Sequence, residues 1–170
     1  MKLIILGAGG YGRTMADVAA QTGIYDEILF LDDNSRAENV GGRCDDFARF
    51  ADENTLFYPA FGNNELRMAW LKRLGEGGCG VATIIHPRAY VSPTARVAEG
   101  NAVLPYAVVN TECEIKAGCI INCGAIVDHG CVIEEGVHVS PGAIVKAENR
   151  IPRCMKVEAG EIIPNRTYPV

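Results

Sequence analysis

The sequence predicts an α/β Rossmann-like half domain over residues 1–84, followed by an all-β parallel β-helix over 85–170. Three observations carry this. Strand-like and helix-like segments alternate up to about residue 84, a Gly-x-Gly-x-x-Gly motif closes the first strand, and from Tyr90 onward the apolar pattern changes to a period of six. At 170 residues and 48% hydrophobic content the chain has enough apolar material for a packed core, which excludes an intrinsically disordered protein.

The first strand is the apolar run Lys2–Leu6, ending in glycine. Residues 13–21 then space Met15, Val18 and Ala19 as one face of a helix. Glu27–Leu31, 56–61 and 81–85 read as three further strands. Between the last two, residues 65–74 place Leu66, Ala69, Trp70 and Leu74 on one helical face. Strands alternating with helices build a parallel sheet covered by helices, and about 84 residues hold roughly one mononucleotide-binding half of a doubly wound fold.

Every sixth residue from Val91 to Ile163 is valine or isoleucine, thirteen positions in succession. Four residues after each, the chain carries mostly small residues such as Ala107, Cys113, Cys119, Ala125 and Cys131, with glycine often between. Neither a helix of period 3.6 nor a strand of period 2 produces a strict six. A coil of three short flat sides does: the β-branched residue points inward, the small residue fills the interior, and glycine relieves the corner. Three units form one coil of 18 residues, so about four coils fit between residues 90 and 168. The seven cysteines, none in a Cys-x-x-Cys pair, read as free thiols in a reducing compartment.

A net charge of −5 without a basic stripe argues against a nucleic-acid partner. No apolar run approaches the ~18 residues of a membrane span, and the start of the chain shows no cleavage-like region, so a soluble, cytoplasmic protein is expected.

Gly7, Gly9 and Gly12 sit where a strand opens into a helix, a place whose backbone amides favour a phosphate. Asp32 and Asp33 follow at the end of the second strand, where carboxylates can accept sugar hydroxyls. A complete dinucleotide needs a second half that is missing, so a nucleotide-sugar diphosphate is the better fit than NAD. Gly62 and Asn63, in Phe61-Gly62-Asn63-Asn64, either line the same pocket or form a turn and helix cap. The histidines are His86, His129 and His138; a spacing of nine puts the last two on different sides of the coil, which argues against a shared zinc site, and no metal is expected. His129, two residues after an inward valine, projects from a corner and has the chemistry of a general base.

Ile5-Leu6-Gly7-Ala8-Gly9-Gly10-Tyr11-Gly12, Phe30-Leu31-Asp32-Asp33, Phe61-Gly62-Asn63-Asn64, Ile85-His86-Pro87 and the stretch from Ile121 through His129 to Ala143 together resemble the sugar O-acyltransferase family of sialic acid O-acetyltransferases and UDP-4-amino-sugar N-acetyltransferases, the NeuD and PglD type. The resemblance implies a left-handed β-helix, a homotrimer, acetyl-CoA lying between neighbouring β-helices, and a nucleotide sugar held by Gly7, Gly9, Gly10, Gly12, Asp32 and Asp33. It implies acetyl transfer to an amine or hydroxyl with His129 as base, His138 touching the reacting groups, and a backbone donor at Ala147 for the oxyanion. Relatives place an acidic residue directly after the catalytic histidine; here that position is Gly130. Glu112 and Glu148, 18 residues to either side, stack over it, and with Asp128 they are the candidate orienting carboxylates. Relatives also continue through further coils and a tail beyond the point corresponding to Val170. Two readings follow: an acetyltransferase with a shallower CoA site, or a catalytically inactive nucleotide-sugar-binding or scaffold protein of the same fold.

Overall fold

The chain is described by a computed structural model covering residues 1–35 and 39–170, which divide into two compact units, Met1–Ala82 and Thr83–Val170. The first unit contains β1 (Lys2–Leu6), α1 (Gly10–Thr22), β2 (Glu27–Leu31), β3 (Val40–Gly42), a short 3-10 helix (Cys44–Phe50), β4 (Thr55–Pro59), α2 (Asn64–Glu76) and β5 (Gly80–Val81). All strand pairs are parallel and the order is β3-β2-β1-β4-β5. β1 is central, and its residues Leu3 to Leu6 are fully buried, as expected of a parallel strand covered on both faces. The order reverses between β1 and β4, and the crevice outside the carboxyl ends of such strands is where doubly wound sheets bind ligands.

Helix α1 buries Gly12, Met15, Val18 and Ala19, the predicted face, and stops at Gly23, which takes the left-handed conformation at φ 69°. Helix α2 corrects the sequence reading. Leu66 and Ala69 are exposed, and the side turned inward holds Arg67, Trp70, Leu71 and Leu74. An arginine can occupy that side because its guanidinium is hydrogen-bonded locally, Nη1 to Phe61 O at 2.8 Å and Nη2 to Asn64 Oδ1 at 2.9 Å. β3 and the 3-10 helix lack a sustained apolar period, so periodicity alone does not reveal them.

The second unit is a three-sided coil of two-residue parallel strands. One side stacks Tyr90–Val91, Val108–Val109, Ile126–Val127, Ile144–Val145 and Ile162–Ile163. The next stacks Arg96–Val97, Glu114–Ile115, Val132–Ile133 and Arg150–Ile151. The third begins at Ile84–Ile85 and continues through Ala102–Val103, Ile120–Ile121, His138–Val139 and Lys156–Val157. Residues 81–85 are thus not one strand: Gly80–Val81 pairs with β4, and Ile84–Ile85 opens the coil. Register runs at 18 residues throughout, as the period of six demands. Val103, Val109, Ile121, Val127, Ile133, Val139 and Val145 are all fully buried in one interior stack with Cys113, Cys119 and Cys131. Each such side chain contributes about 1.5–3 kcal/mol through its burial. All seven cysteines are free thiols.

Candidate active site

In the first unit, three chain segments meet the carboxyl edge of the sheet. Gly7 leaves β1 at φ 101°, its N–H donating to Leu31 O at 2.8 Å. Gly12 must be glycine: a Cβ there would lie 1.9 Å from Gly7 O, because α1 crosses directly over the loop. Gly9, Gly10 and Gly62 differ, since a Cβ at any of them would meet nothing within 4 Å, leaving their backbone open to an approaching group. The first turn of α1 carries no acidic residue, and Arg13 donates to Ala8 O at 2.9 Å, which sets a cation beside the loop; sequence reasoning passed over this arginine.

Asp32 acts on the loop itself. Its carboxylate accepts from the N–H groups of Ala8 at 2.7 Å, Asn34 at 2.8 Å and Ser35 at 2.7 Å. Partial burial pushes its carboxyl up, but those three donors outweigh burial and hold it below the ordinary value. Asp33 accepts from the Cys44 N–H at 3.2 Å and from Arg43 Nε at 3.5 Å. Both aspartates line a cleft of about 620 Å³ with Asn34, Ser35, Val40, Gly41, Gly42, Arg43 and Asp46. Asn63 caps α2, accepting from the Leu66 N–H at 2.9 Å.

In the coil, His129 stands at the corner between the Tyr90 and Arg96 sides, with more than half of its side chain exposed. Its Nδ1 lies 3.1 Å from Asp128 Oδ1, and the same oxygen accepts from the His129 N–H at 2.8 Å and from Asn110 Nδ2 at 3.2 Å. The His129 N–H is the largest influence holding the Asp128 carboxyl below its ordinary value; the imidazole and Asn110 act the same way, against partial burial. A carboxylate only accepts hydrogen bonds, so the proton of a neutral imidazole sits on Nδ1 and the lone pair of Nε2 is free. Asn110, one coil below, is a second supporting residue that only stacking reveals.

Glu148 lies one coil above Gly130. Its N–H donates to His129 O at 3.1 Å, and its Cγ is 3.6 Å from where a Gly130 Cβ would be. Its carboxylate, however, is paired with Arg166, which is the main cause of its lowered pKa. Gly130, Glu148 and Arg166 share a pocket of about 330 Å³ with Pro169 and Val170. Glu112, Gly130, Glu148 and Arg166 occupy successive coils at one corner position, each with φ between 56° and 64°. Three non-glycine residues thus hold a left-handed conformation along the column that contains Gly130. The Ala147 peptide stands one coil above His129, and its N–H donates to no acceptor among the described residues. His138 projects from the third side, where Asn122 Nδ2 donates to its Nε2 at 2.9 Å. One coil therefore does not bring His129 and His138 onto a common side. His86 is buried, and its Nδ1 accepts from the Arg88 N–H at 3.0 Å, as a structural histidine does.

Residues 2–74 match the PglD N-terminal domain family. UDP-N-acetylbacillosamine N-acetyltransferase of Bacillus subtilis (strain 168) is 30% identical over 110 residues, covering 61% of this chain; the chain spans about half (51%) of that curated relative. The acetyltransferase domain of PglB from Neisseria gonorrhoeae is 35% identical, with a TM-score of 0.91 over 95% of this chain and 81% of that one, and has also been solved in complex with acetyl coenzyme A, at a TM-score of 0.90. A variant of perosamine N-acetyltransferase from Caulobacter crescentus, in complex with CoA and GDP-perosamine, shares the fold at 24% identity and a TM-score of 0.80, over 97% of this chain and 89% of that one. The glycine loop, the coil and the extent of these matches lead to one assignment: the chain belongs to the NeuD and PglD type of sugar acyltransferases, with a Rossmann-like N-terminal half domain and a left-handed β-helix.

Proposed function

We propose that the chain is an acetyltransferase that moves acetyl from acetyl-CoA to an amine or hydroxyl of a nucleotide-activated sugar, with His129 as general base. The Asp128–His129 pair at an open corner, one coil below an uncommitted peptide N–H, carries this reading. The acceptor nitrogen or oxygen attacks the thioester carbonyl while His129 Nε2 takes its proton. Asp128 steadies the imidazolium, and the Ala147 N–H faces the oxygen on which charge develops. Collapse of the adduct breaks the carbon–sulfur bond, and the departing CoA sulfur receives the proton from His129. Names of the relatives support the substrates: acetyl coenzyme A is bound in one, CoA and GDP-perosamine in another. The open backbone at Gly9, Gly10 and Gly62 and the cleft beside Asp33 suit the nucleotide sugar.

The active form is proposed to be a homotrimer. Tyr90, Val108, Ile126, Ile144 and Ile162 form an outward apolar column, with Tyr90 and Ile162 each 53% exposed. We propose that this side packs against a second copy and brings His129 of one copy to His138 of another. Release of free CoA thiol from acetyl-CoA with a panel of nucleotide-activated amino sugars tests the activity. Wild type should release thiol with at least one acceptor, and His129→Ala should lower kcat by about 10²–10⁴-fold. Retained nucleotide-sugar binding with no thiol release and no CoA binding would instead establish a binding or scaffold protein.

A further inference from the structure

Three corner peptides of the coil follow one rule. An Asn or Asp placed one residue after the inward position turns its side-chain oxygen onto the next N–H: Asn110 caps Thr111 at 2.8 Å, Asn122 caps Cys123 at 2.8 Å, and Asp128 caps His129 at 2.8 Å. In the column that holds His129, the next coil has no such cap. Lys146 occupies the capping position, is exposed, and has no acceptor to offer, so the Ala147 N–H meets no acceptor among the described residues although Ala147 is 4% exposed.

The other end of that peptide is tied down. Lys146 O accepts from Asn149 Nδ2 at 2.8 Å and from Cys131 Sγ at 3.2 Å, both side chains fully buried. Asn149 is itself held, donating to Pro164 O at 2.8 Å and accepting from the Tyr168 N–H at 2.8 Å. The Cys113 thiol beside it and burial both raise the pKa of Cys131, so Cys131 stays an S–H donor. In a trans peptide the carbonyl and the N–H point in opposite directions. Anchoring the carbonyl from inside the coil therefore aims the N–H outward, and hydrogen bonds to the carbonyl polarise the peptide and strengthen the N–H as a donor.

We propose that Asn149 and Cys131 are positioning residues that fix the Lys146–Ala147 peptide with its N–H presented to the reaction, and that a non-capping residue at 146 is a requirement of the site. This rests on the acetyltransferase reading above and adds the residues that act through Ala147. Their effect is on charge stabilisation in the transition state, so it appears in kcat rather than in KM for acetyl-CoA.

The test is a substitution that should help folding and harm catalysis. Lys146→Asn installs the same self-cap as Asn110 and Asn122, whereas Lys146→Gln removes the charge without it. Lys146→Asn is expected to lower kcat by about 10-fold or more relative to Lys146→Gln, with thermal stability unchanged or higher. Cys131→Ala should lower kcat about 3-fold to 10-fold and Cys131→Ser should restore it, because the hydroxyl still donates. Asn101→Ala is the control for a purely structural lesion. Asn101 makes the same kind of bond, Nδ2 to Ala98 O at 2.8 Å, in a corner away from His129, so its loss should lower stability and leave kcat unchanged. Equal kcat for Lys146→Asn and Lys146→Gln, or no rescue by Cys131→Ser, overturns the proposal. If no acceptor supports thiol release, the acetyltransferase reading fails by itself. The Ala147 amide resonance and its hydrogen exchange, compared between wild type, Lys146→Asn and Cys131→Ala, still decide whether the peptide is anchored as described: shifts in both variants support it, and an unmoved amide refutes it.

Discussion

Gly10 and Gly12, two positions apart in the first turn of α1, are expected to fail in opposite ways when replaced by alanine. At Gly12 a Cβ would sit 1.9 Å from Gly7 O and 2.9 Å from Gly7 C. Real Cβ contacts stay beyond about 3 Å, so α1 and the loop must separate by about 1 Å. That movement strains the Gly7 N–H to Leu31 O bond at 2.8 Å and the Ala8 N–H to Asp32 bond at 2.7 Å. Overpacking plus weakened buried hydrogen bonds puts the cost of Gly12→Ala at about 3 kcal/mol. At Gly10 a Cβ meets nothing, and alanine is the better helix former by up to about 1 kcal/mol, so Gly10→Ala leaves stability equal or slightly raised. On the proposed function, its methyl group instead stands where the nucleotide-sugar diphosphate would approach and should weaken nucleotide-sugar binding by about 10-fold or more. Urea unfolding followed by Trp70, the single tryptophan, which is stacked on Phe61 in the same unit, reports the stability; titration calorimetry reports the binding. Comparable destabilisation by both substitutions, or unchanged binding by Gly10→Ala, would refute the division of these glycines into one that the fold needs and one that the ligand needs.

Asp128→Asn should lower kcat by about 10-fold or more in the thiol-release assay, because the carboxylate charge that steadies the imidazolium is lost while an acceptor oxygen remains. Glu148→Gln should change kcat by less than about 3-fold, since Arg166 already holds that carboxylate. A melting curve of Ile121→Ala should show a loss of about 2–5 kcal/mol from the fully buried interior stack, whereas half-buried Val91→Ala in the first coil should lose under about 1 kcal/mol. The Glu114 carboxyl is lowered to about 2 by Lys116 and Arg96. A depressed carboxyl stabilises the fold above its unfolded pKa and loses that contribution as pH falls through the folded one. Thermal melts of wild type and Glu114→Gln should therefore differ near pH 6 and converge as pH approaches 2.

The coil was legible because its signal is repeated: a valine pointing inward stacks on the residue 18 positions away, so one period carries side, corner and interior together. Likewise β1, β2 and α1 follow from unbroken apolar runs and one helical face. Short-range patterning fails where a hydrogen bond replaces an apolar contact. Arg67 lies inside α2 because Phe61 O and Asn64 accept from it, and Ile84–Ile85 joins the coil because its strand partner is Ala102–Val103.

The sequence by itself determined the two-unit plan, the inward stack, and the presence of an imidazole at a corner next to several carboxylates. Only the tertiary structure decided among those carboxylates. Asp128 bonds His129 and Glu148 is taken by Arg166; in the first unit, likewise, Asp32 is spent on the Ala8, Asn34 and Ser35 amides. The physical reason is range: burial accumulates over many contacts and survives as a pattern, whereas a hydrogen bond forms or fails within a few tenths of an ångström.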